Sequence, residues 1–549
     1  MATQIIALGI ALLLAVSPAA AAAPEGSQVT IAQGELRGAA ERGLRVFKGI
    51  PYALPPVGDR RWKPPAPPAR WRGARDATRF GPSCLQPPVP VASVYADPPA
   101  ATSEDCLTLN VWTPDRAVKA PVIVWIHGGS LRIGGSAEPL YDGAAFARRG
   151  VVFVSINYRL GVLGWLAAPA LSAESPDHVS GNYGLLDQIA ALRWVKGNIA
   201  AFGGDPGNVT VMGESAGALS VTYLLTSPLA RGLFGKAILE SANTRAVPEL
   251  RRAVYGLPSA ETIGGNLVRK LGAADLPALR AMDGATLTIA ATKAGFAPQG
   301  TVDGHVLPHQ VIDTFDRGEQ ARVPVLAGFN SGELRSQRVF LPKPPASATA
   351  YEQAIAARYG DLAPEFLRLY PASDIGESML ATLRDAVYGW ATERIVRKQS
   401  AAGLPAYLYF FDHCYPAAKA RDLCNFHASE LPFVFGRIGA GAALPPNWPR
   451  PGGQADERLS NAMLDYWTSF ASSGAPVAPG APTWRPYSKG QSYMHFAAAP
   501  EAAHDLLPGM AEMQEEVVKR RRAANRQWFV NVGVAAPLPD EGGTGTRSE

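Results

Sequence analysis

A serine at position 215 stands in a sequence pattern that suits nucleophilic chemistry. The pattern is Gly213-Glu214-Ser215-Ala216-Gly217, which directly follows a short apolar run and opens a segment rich in alanine and leucine. Glycine on both sides of a serine lets a strand turn sharply into a helix and lifts the hydroxyl above the sheet. The helix N-terminus then offers free backbone N–H groups and a partial positive charge to the reacting atoms. We therefore predict that Ser215 is a nucleophile.

A glycine-rich loop, His127-Gly128-Gly129-Ser130, follows another short apolar run. A nucleophile that attacks a carbonyl carbon leaves negative charge on the oxygen, and backbone N–H groups in a glycine-rich loop can approach that oxygen closely. We predict that the amides of Gly129, Ser130 and Ala216 stabilise this charge. His127 suits structural hydrogen bonding in the loop rather than proton transfer.

The segments around the serine resemble a known family. FGGDPGNVTVM at residues 202–212 leads into the serine pattern and looks like the serine signature of type-B carboxylesterases, the family of cholinesterases and bacterial para-nitrobenzyl esterases. EDCLTLN at 104–110, FKGIPYA at 47–53 and NYRLG at 157–161 resemble other blocks of that family, and the similarity covers about residues 29–535. The resemblance implies an α/β-hydrolase fold and hydrolysis of carboxylic esters through an acyl-enzyme intermediate.

The resemblance also points to the base. Enzymes of this fold use the chain order serine, acid, histidine, so the base should follow Ser215 in the chain. His427 lies in NFHASELP at residues 425–432, which is similar to the family's catalytic histidine block. We predict His427 as the base and keep His413 as the alternative.

The acid is predicted from the segment FNSGE, which ends an apolar run and whose last residue is Glu333. The family usually has an Asp-Glu-Gly sequence at this place, with the glutamate as the triad acid. This chain has Gly332 and Leu334 on either side of Glu333. We predict Glu333 as the acid, with Asp303 and Asp316 as alternatives.

Five other polar residues receive supporting roles. Glu214 and Ser241 resemble family positions that order the triad without direct chemistry. Arg132 follows the glycine-rich loop, and Arg335 and Arg338 follow the predicted acid closely. Arginine is suited to bidentate binding of carboxylates. One hypothesis is therefore that Arg132 and Arg335 receive a carboxylate-bearing substrate, such as a fumonisin-type polycarboxylate ester; the alternative is that these arginines lie on the surface.

The composition is that of a globular enzyme with a sizeable core. The chain has 549 residues, of which 47% are hydrophobic and 18% charged, far from the composition of a disordered chain. The net charge of +5 comes from scattered lysines and arginines, which gives little support for nucleic-acid binding. The histidines lack metal-binding spacing and no glycine loop has a phosphate-binding pattern. We expect no cofactor, no metal and no nucleic-acid partner.

Short runs of valine and isoleucine predict the scaffold that positions these residues. Runs at 121–126, 151–156 and 209–212 are typical of strands that are buried on both faces, and 185–199 has helical spacing of apolar residues. Strand, helix and strand in this order indicate a parallel sheet with crossover helices. Further strands are predicted at 237–240, 323–328 and 406–411.

Other parts of the chain have a different pattern of apolar residues. Residues 29–113 alternate short apolar pieces with proline-rich loops, which fits antiparallel strands joined by irregular turns. Residues 246–320 and 341–400 have helical periodicity and no strand pattern. We predict an α/β-hydrolase fold whose central, mostly parallel sheet is flanked by helices, with these two insertions forming the walls of a substrate gorge.

The two ends of the chain differ from the rest. Residues 1–23 contain a short apolar run followed by an alanine block, which reads as a secretory signal peptide with an Ala-x-Ala cleavage site. We predict a single domain at 24–537 and a polar, disordered tail at 538–549. The run is shorter than the roughly 20 residues needed to span a bilayer, so the mature protein is expected without a membrane anchor, secreted or periplasmic. It could be a monomer or a homodimer.

Four cysteines, an even number in an exported chain, favour disulfides over metal ligands. Three pairings are possible, and the one that closes the shortest loops joins Cys84 to Cys106 and Cys414 to Cys424; free buried thiols are the alternative. In the family the cysteine at the position of Cys106 pairs with one upstream. A bond between Cys414 and Cys424 would hold the loop that delivers His427, which the family pattern does not require.

The function predicted from these residues is that of a secreted serine carboxylesterase acting on small-molecule esters. Other reactions of the same scaffold, those of a lipase or an amidase, are the nearest alternatives. A non-catalytic adhesion module of the cholinesterase-like type is a third, although such modules typically lose the nucleophile, whereas serine, acid candidate and histidine are all present here. Chain-length preference on para-nitrophenyl esters and a matched amide would separate these reactions.

Overall fold

The computed structural model describes residues 28–539. Its strands, in chain order, are β1 (Gln28–Ile31), β2 (Gly34–Arg37), β3 (Ala39–Glu41), β4 (Leu44–Pro51), β5 (Ala74–Asp76), β6 (Ser83–Cys84), β7 (Thr102–Ser103), β8 (Thr108–Pro114), β9 (Ala120–Ile126), β10 (Val152–Ile156), β11 (Gly204–Glu214), β12 (Lys236–Glu240), β13 (Val325–Asn330), β14 (Ala406–Phe411), β15 (Ser492–Phe496) and β16 (Pro500–His504).

The α-helices are α1 (Ala144–Ala147), α2 (Gly161–Trp165), α3 (Pro169–Glu174), α4 (Tyr183–Asn198), α5 (Ala216–Thr226), α6 (Ala260–Lys270), α7 (Leu276–Ala281), α8 (Gly284–Lys293), α9 (Val311–Asp316), α10 (Ala348–Tyr359), α11 (Ala363–Leu369), α12 (Ile375–Arg384), α13 (Trp390–Ala401), α14 (Pro416–Lys419), α15 (Leu431–Val434), α16 (Gln454–Ser473) and α17 (Met510–Ala523). Among residues 28–539, none of the helices combines the length and apolar character needed to cross a membrane.

An 11-stranded sheet forms the centre of the fold, in the order β16-β15-β14-β13-β12-β11-β9-β10-β8-β4-β3. The strands from β10 through β9, β11, β12, β13 and β14 to β15 are all parallel to their neighbours. The pairs at the two edges are antiparallel. All residues of β10, β12, β13 and β14 are buried, as expected for strands covered by helices on both faces. The predicted α/β fold with a mostly parallel sheet is confirmed.

The predicted strands are present with small changes at their ends. The strand predicted at 209–212 extends over Gly204–Glu214, and the one predicted at 323–328 runs from Val325 to Asn330. The helix predicted at 185–199 is Tyr183–Asn198. Strands β15 and β16 were not expected; only alternate residues of β15 are buried, every residue of β16 is at least partly exposed, and neither forms a continuous apolar run.

The N-terminal region is antiparallel only in part. β1 pairs with β2, and β4 with both β3 and β8, in the antiparallel sense that the sequence predicted. β5 pairs in parallel with β2, and β6 in parallel with β7, because long irregular connections separate these strands in the chain. Insertion 246–320 contains α6 to α9, and insertion 341–400 contains α10 to α13.

Both disulfides of the shortest-loop pairing are present, Cys84–Cys106 and Cys414–Cys424. Cys84 and Cys106 are almost fully buried beside the central sheet, at 3% and 1% exposure. Cys414 and Cys424 are half-buried. The predicted signal peptide at 1–23 and most of the predicted tail, from residue 540 onward, lie outside the described residues.

Candidate active site

Ser215 lies in a sharp turn between the end of β11 and the start of α5. Its backbone has φ of 56° and ψ of −118°, a conformation that L-residues rarely adopt. A side chain at Gly217 would place its Cβ 2.0 Å from the carbonyl oxygen of Ile126, and one at Gly213 would lie 2.5 Å from the carbonyl carbon of Gly217. The two glycines are therefore required by close backbone packing, which lets the turn present the serine hydroxyl at the carboxyl end of the sheet.

The structure brings Ser215, His427 and Glu333 together. Oγ of Ser215 lies 2.7 Å from Nε2 of His427, and Nδ1 of the same ring lies 2.5 Å from Oε2 of Glu333. The imidazole is 5% exposed and the glutamate is fully buried. A hydrogen-bonded chain therefore runs from a half-buried serine hydroxyl through a buried imidazole to a buried carboxylate.

The second oxygen of Glu333 is held by two further groups. Oγ of Ser241 donates a 2.6 Å hydrogen bond to Oε1, and the backbone N–H of Asn330 donates one of 2.9 Å to the same atom. Because both carboxylate oxygens have partners, the carboxylate cannot rotate away from the imidazole without losing a hydrogen bond. Ser241 thus orients the predicted acid, in the position expected for it.

Glu214 approaches the other side of the imidazole. Its Oε1 lies 3.1 Å from Nε2 of His427, beside the serine hydroxyl. Burial raises the pKa of the Glu214 carboxyl well above its ordinary value. Burial alone would lower the pKa of His427, but the carboxylates of Glu214 and Glu333 raise it more, so that it lies above the usual value for an imidazole.

Three aromatic and amide contacts near the imidazole were not predicted. The ring of Tyr388 stacks on His427 with 4.9 Å between ring centroids. The hydroxyl of Tyr95 donates a 2.8 Å hydrogen bond to the backbone carbonyl of His427. Nδ2 of Asn330 donates to Oε2 of the buried Glu430. Asn330 and Glu430 adjoin the predicted acid and base in the chain, so proximity could have suggested them, but no sequence pattern marks Tyr388 or Tyr95.

The glycine-rich loop turns back toward the serine. Gly129, Ser130 and Leu131 all have positive φ, at 99°, 57° and 59°. The carbonyl of Gly129 accepts hydrogen bonds from the amides of Arg132 and Ile133, while the amides of Gly129 and Ser130 have no acceptor among residues 28–539.

The backbone amide of Ala216 has no hydrogen-bond acceptor within residues 28–539 because of its place at the start of a helix. Ala216 is the first residue of α5, and the first N–H groups of a helix have no partner within that helix. Together with the loop amides it gives three donors that are free to bind an oxyanion. His127 has the structural role expected of it, since Nδ1 lies 2.9 Å from the carbonyl of Gly128 and its ring stacks on Tyr158. Burial lowers the pKa of His127 to about 4.

The alternative residues for base and acid have other partners. Nε2 of His413 lies 2.6 Å from Oδ1 of Asp456. Asp303 accepts hydrogen bonds from the backbone amides of residues 305–307. Asp316 forms ion pairs with Arg394 and Lys398. None of the three alternatives contacts Ser215 or His427.

A cavity of about 1050 Å³ opens onto Ser215 and His427. Besides Glu214 and Ser215, its wall comes from four segments: residues 80–103, most of which lie in the loop closed by the Cys84–Cys106 bond, residues 128–141, residues 337–340 and residues 427–448. The expectation that insertions 246–320 and 341–400 form the walls is wrong for this cavity, because neither contributes a lining residue. Tyr388 is the point at which the second insertion reaches the imidazole.

The arginines that were predicted to bind a substrate carboxylate do not line this cavity. Arg335 forms ion pairs with Glu377 and Asp422, and Arg338 pairs with Asp422 as well. Arg132 follows the glycine-rich loop by two residues and is not among the lining residues. The structure therefore gives Arg335 and Arg338 a role in linking neighbouring segments, and the predicted carboxylate binding by Arg335 is not supported for this cavity, whereas that by Arg132 stays a prediction.

The arrangement as a whole can carry out acyl transfer. A serine hydroxyl hydrogen-bonded to an imidazole, which is oriented by a carboxylate, is a nucleophile with an adjacent base. The three free amides lie beside it, where the oxygen of an attacked carbonyl would become negative. Within residues 28–539, no group of three or more His, Cys, Asp or Glu side chains is arranged to hold a metal ion.

Comparisons with known proteins agree with this chemistry. A family model described as "Carboxylesterase family" matches residues 25–514. The chain is 38% identical to a "Fumonisin B1 esterase" of Sphingopyxis macrogoltabida over 83% of this chain and 84% of that protein. It is 37% identical to a "Para-nitrobenzyl esterase" of Bacillus subtilis (strain 168) over 84% and 92%. A solved structure of a PNB esterase has a TM-score of 0.76 and 33% identity, and covers 89% of this chain and 99% of that one.

Proposed function

Since this chain belongs to the carboxylesterase family, of the type-B group within the α/β-hydrolase superfamily, and is a carboxylic ester hydrolase, we propose that Ser215 is its nucleophile, His427 its general base and Glu333 the acid that orients the base. The observation that carries the proposal is the continuous hydrogen-bonded chain from Ser215 through His427 to Glu333. Enzymes of this family act on small-molecule esters.

The reaction begins with attack on the ester carbonyl. Nε2 of His427 takes the proton as Oγ of Ser215 forms a bond to the carbonyl carbon, and Glu333 stabilises the imidazolium that results. The carbonyl oxygen becomes negative and accepts hydrogen bonds from the amides of Gly129, Ser130 and Ala216. The imidazolium then gives its proton to the departing alcohol, which leaves an acyl group on the serine.

The second half repeats the sequence with water. His427 takes a proton from a water molecule as its oxygen attacks the acyl carbon, and the same three amides stabilise the second oxyanion. The imidazolium returns its proton to Oγ as the bond to Ser215 breaks. The carboxylic acid is released and the serine is regenerated. Every proton passes through His427, so no cofactor is needed.

The proposal includes export of the enzyme to the periplasm or the medium. The leader pattern at residues 1–23 supports it, and so do the two disulfide bonds, which persist in oxidising compartments. The intact mass of the protein recovered from a host's periplasm or medium tests this part, because export with cleavage shortens the chain by its leader. Recovery of the uncleaved protein in the cytoplasm would contradict it.

The test of the catalytic part is Ser215→Ala. We expect this variant to fold normally and to lose about 10⁴-fold or more of kcat on para-nitrophenyl butyrate, because the nucleophilic atom is gone. Labelling by a fluorophosphonate probe, present in the wild type, should disappear. Near-normal turnover in Ser215→Ala would overturn the assignment of the nucleophile.

A substrate panel separates the esterase reaction from the lipase and amidase reactions. A series of para-nitrophenyl esters with two to sixteen acyl carbons and a matched para-nitroanilide would be compared by kcat/KM. We expect the optimum at short or medium acyl chains and slow cleavage of the anilide. An optimum at the longest chains would instead identify a lipase, and equal rates on the anilide an amidase.

A further inference from the structure

The charged groups of the active-site cavity are nearly all acidic. Among the described lining residues, the side chains that can carry charge near neutral pH are Asp97, Glu138, Glu214 and His427. No lysine or arginine among residues 28–539 lines the cavity. The remaining lining is largely apolar or uncharged, with proline, alanine, glycine and aromatic residues predominating. A substrate that enters this cavity therefore meets carboxyl groups and no arginine or lysine.

Glu138 lines the cavity in the segment that follows the glycine-rich loop. Its Oε1 accepts a 3.0 Å hydrogen bond from the amide of Gly135, in the segment that follows the glycine-rich loop. Burial and the neighbouring Asp97 raise the pKa of Glu138 to about 8. Burial also raises the pKa of Asp97. A negative charge in this part of the cavity is thus already unfavourable before any substrate arrives.

A carboxylate on the substrate would add to that cost. It would leave water for a cavity whose lining holds no lysine or arginine to pair with it, and transfer of a poorly paired ion out of water is strongly unfavourable. It would also be repelled by the carboxylate of Asp97, and it would raise the pKa of Glu138 further. A substrate ammonium group would instead favour the ionised forms of Asp97 and Glu138 and pair with them, whereas a neutral group would neither gain nor lose by charge.

We propose, on the basis of the ester hydrolysis proposed above, that the cavity selects esters by charge: it accepts neutral and cationic esters and excludes carboxylate-bearing ones, with Asp97 and Glu138 as the specificity-determining residues. The fumonisin-type polycarboxylate ester considered from the sequence is the class that this wall rejects. The relative from Sphingopyxis macrogoltabida is named a fumonisin B1 esterase. Under this proposal the two proteins differ in the esters that they accept.

Three esters with acyl chains of similar length measure the selection directly. They are para-nitrophenyl hexanoate, mono-para-nitrophenyl adipate and para-nitrophenyl 6-aminohexanoate, which end in a methyl, a carboxylate and an ammonium group. We expect kcat/KM for the adipate to be at least about tenfold lower than for the hexanoate, and that for the amine to equal or exceed it. Phenyl butyrate and 3-carboxyphenyl butyrate repeat the comparison with the charge on the alcohol part.

Variants then assign the selection to residues. Asp97→Asn at pH 7, and separately Glu138→Gln at pH 9, where the Glu138 carboxyl is ionised, should each lower the ratio of hexanoate to adipate kcat/KM by about threefold or more, with the double variant lower still at pH 9. Asp177→Asn is the matched control, because this aspartate is 54% exposed and lies outside the cavity, so its ratio should stay at the wild-type value. The ratio has the neutral ester as its internal reference, so a partly unfolded preparation does not change it.

Two results would overturn the proposal. One is adipate hydrolysis as fast as that of the hexanoate by the wild type. The other is a ratio that stays constant in Asp97→Asn, in Glu138→Gln and in the double variant. Failure of the underlying esterase assignment gives a different result, since none of the three esters would then be hydrolysed in a reaction that needs Ser215.

Discussion

The serine and the histidine reach the same cavity from two regions that are built differently. On the serine side, the strand β11, the turn at Ser215 and the helix α5 are consecutive in the chain. Their geometry follows from backbone contacts so close that Gly213 and Gly217 have no room for a side chain. The serine side is therefore specified by a few adjacent residues.

On the histidine side, two loops that are far apart in the chain are joined by polar links. The amide of Gly332 donates to the carbonyl of Asn425, and the amide of His427 donates to the carbonyl of Glu333. Nδ2 of Asn425 donates to Oγ of Ser331. The ion pair between Arg335 and Asp422 adds to these links, and the Cys414–Cys424 bond closes a turn within the loop that carries His427.

This difference predicts how each side responds to substitution. A turn held by backbone packing has little freedom, so one methyl group there should displace the nucleophile. Loops held by many separate links should lose catalysis when the link that orients the base is removed, and only stability when an outer link is removed. The following substitutions test this difference.

The largest effect is expected for Glu333→Gln. The amide can still accept from Ser241 and Asn330, so the fold should persist. It cannot stabilise the imidazolium, and it favours the wrong tautomer of His427. We expect kcat to fall about 10⁴-fold. Asp316→Asn is the control, because Asp316 was one of the two alternative acids of the sequence prediction, with Asp303, and pairs with Arg394 instead. A larger loss of kcat in Asp316→Asn than in Glu333→Gln would mean that Glu333 is not the triad acid.

A smaller loss is expected for Gly217→Ala on the serine side. The added Cβ would lie 2.0 Å from the carbonyl oxygen of Ile126, so the elbow must move. We expect kcat to fall about 10²-fold, because small misplacement of a reacting group has effects of this size, and the free energy of unfolding to fall by about 1–3 kcal/mol. Gly197→Ala in α4 is the matched control, since an added Cβ there contacts nothing within 4 Å. Similar losses in both variants would refute the steric account of the elbow.

The same contrast explains how much of the fold and site was predictable. The elbow, the glycine-rich loop and the parallel strands depend on local rules, so residues such as Ser215 and Gly129 could be proposed from a few neighbours. Tyr388 and Tyr95 could not, because each reaches His427 from a distant part of the chain without a sequence pattern. Arg335 shows that a position near the site in the sequence can mislead. Its closeness to Glu333 in the chain suggested substrate binding, whereas its guanidinium forms ion pairs with Glu377 and Asp422.

The cavity wall was mispredicted for a similar reason. The helical insertions were favoured because they are long and lie between strands. The wall instead includes an irregular segment closed by the Cys84–Cys106 bond, in which prolines and short polar residues give no regular pattern. Asp97 lies in this segment, so the charge of the cavity could be read only from the folded chain.

Glu214 connects the two sides, since it belongs to β11 but contacts the imidazole. Its carboxylate favours the imidazolium, and a base must be neutral to accept a proton. Glu214→Gln should therefore lower the pKa of His427 and move the rising limb of kcat/KM to lower pH by about one pH unit. Glu240→Gln is the control, because Glu240 is buried against Trp467 and does not contact His427. An unchanged or upward-shifted limb in Glu214→Gln would contradict this account.

The smallest effect on catalysis is expected from removing the Cys414–Cys424 bond in the double variant Cys414→Ser, Cys424→Ser. The bond closes a separation of 10 residues, so its loss should lower the free energy of unfolding by about 2.7 kcal/mol on the chain-entropy estimate. The loop keeps its hydrogen bonds to Gly332 and Glu333, and we expect kcat to fall less than tenfold at temperatures where the protein is folded. Chemical denaturation and turnover measured on the same preparation check both values.

Limited reduction by a dithiol should distinguish the Cys414–Cys424 bond from the Cys84–Cys106 bond. Cys414 and Cys424 are half-buried, whereas Cys84 and Cys106 are buried against the central sheet. The native wild type should therefore lose the Cys414–Cys424 bond first and acquire the stability and activity of the double variant. The Cys84–Cys106 bond, which closes the segment in the cavity wall, should stay intact. A loss of activity as large as that of Glu333→Gln would mean that the bond itself orients His427, and the histidine side would then depend on one covalent link rather than on many polar ones.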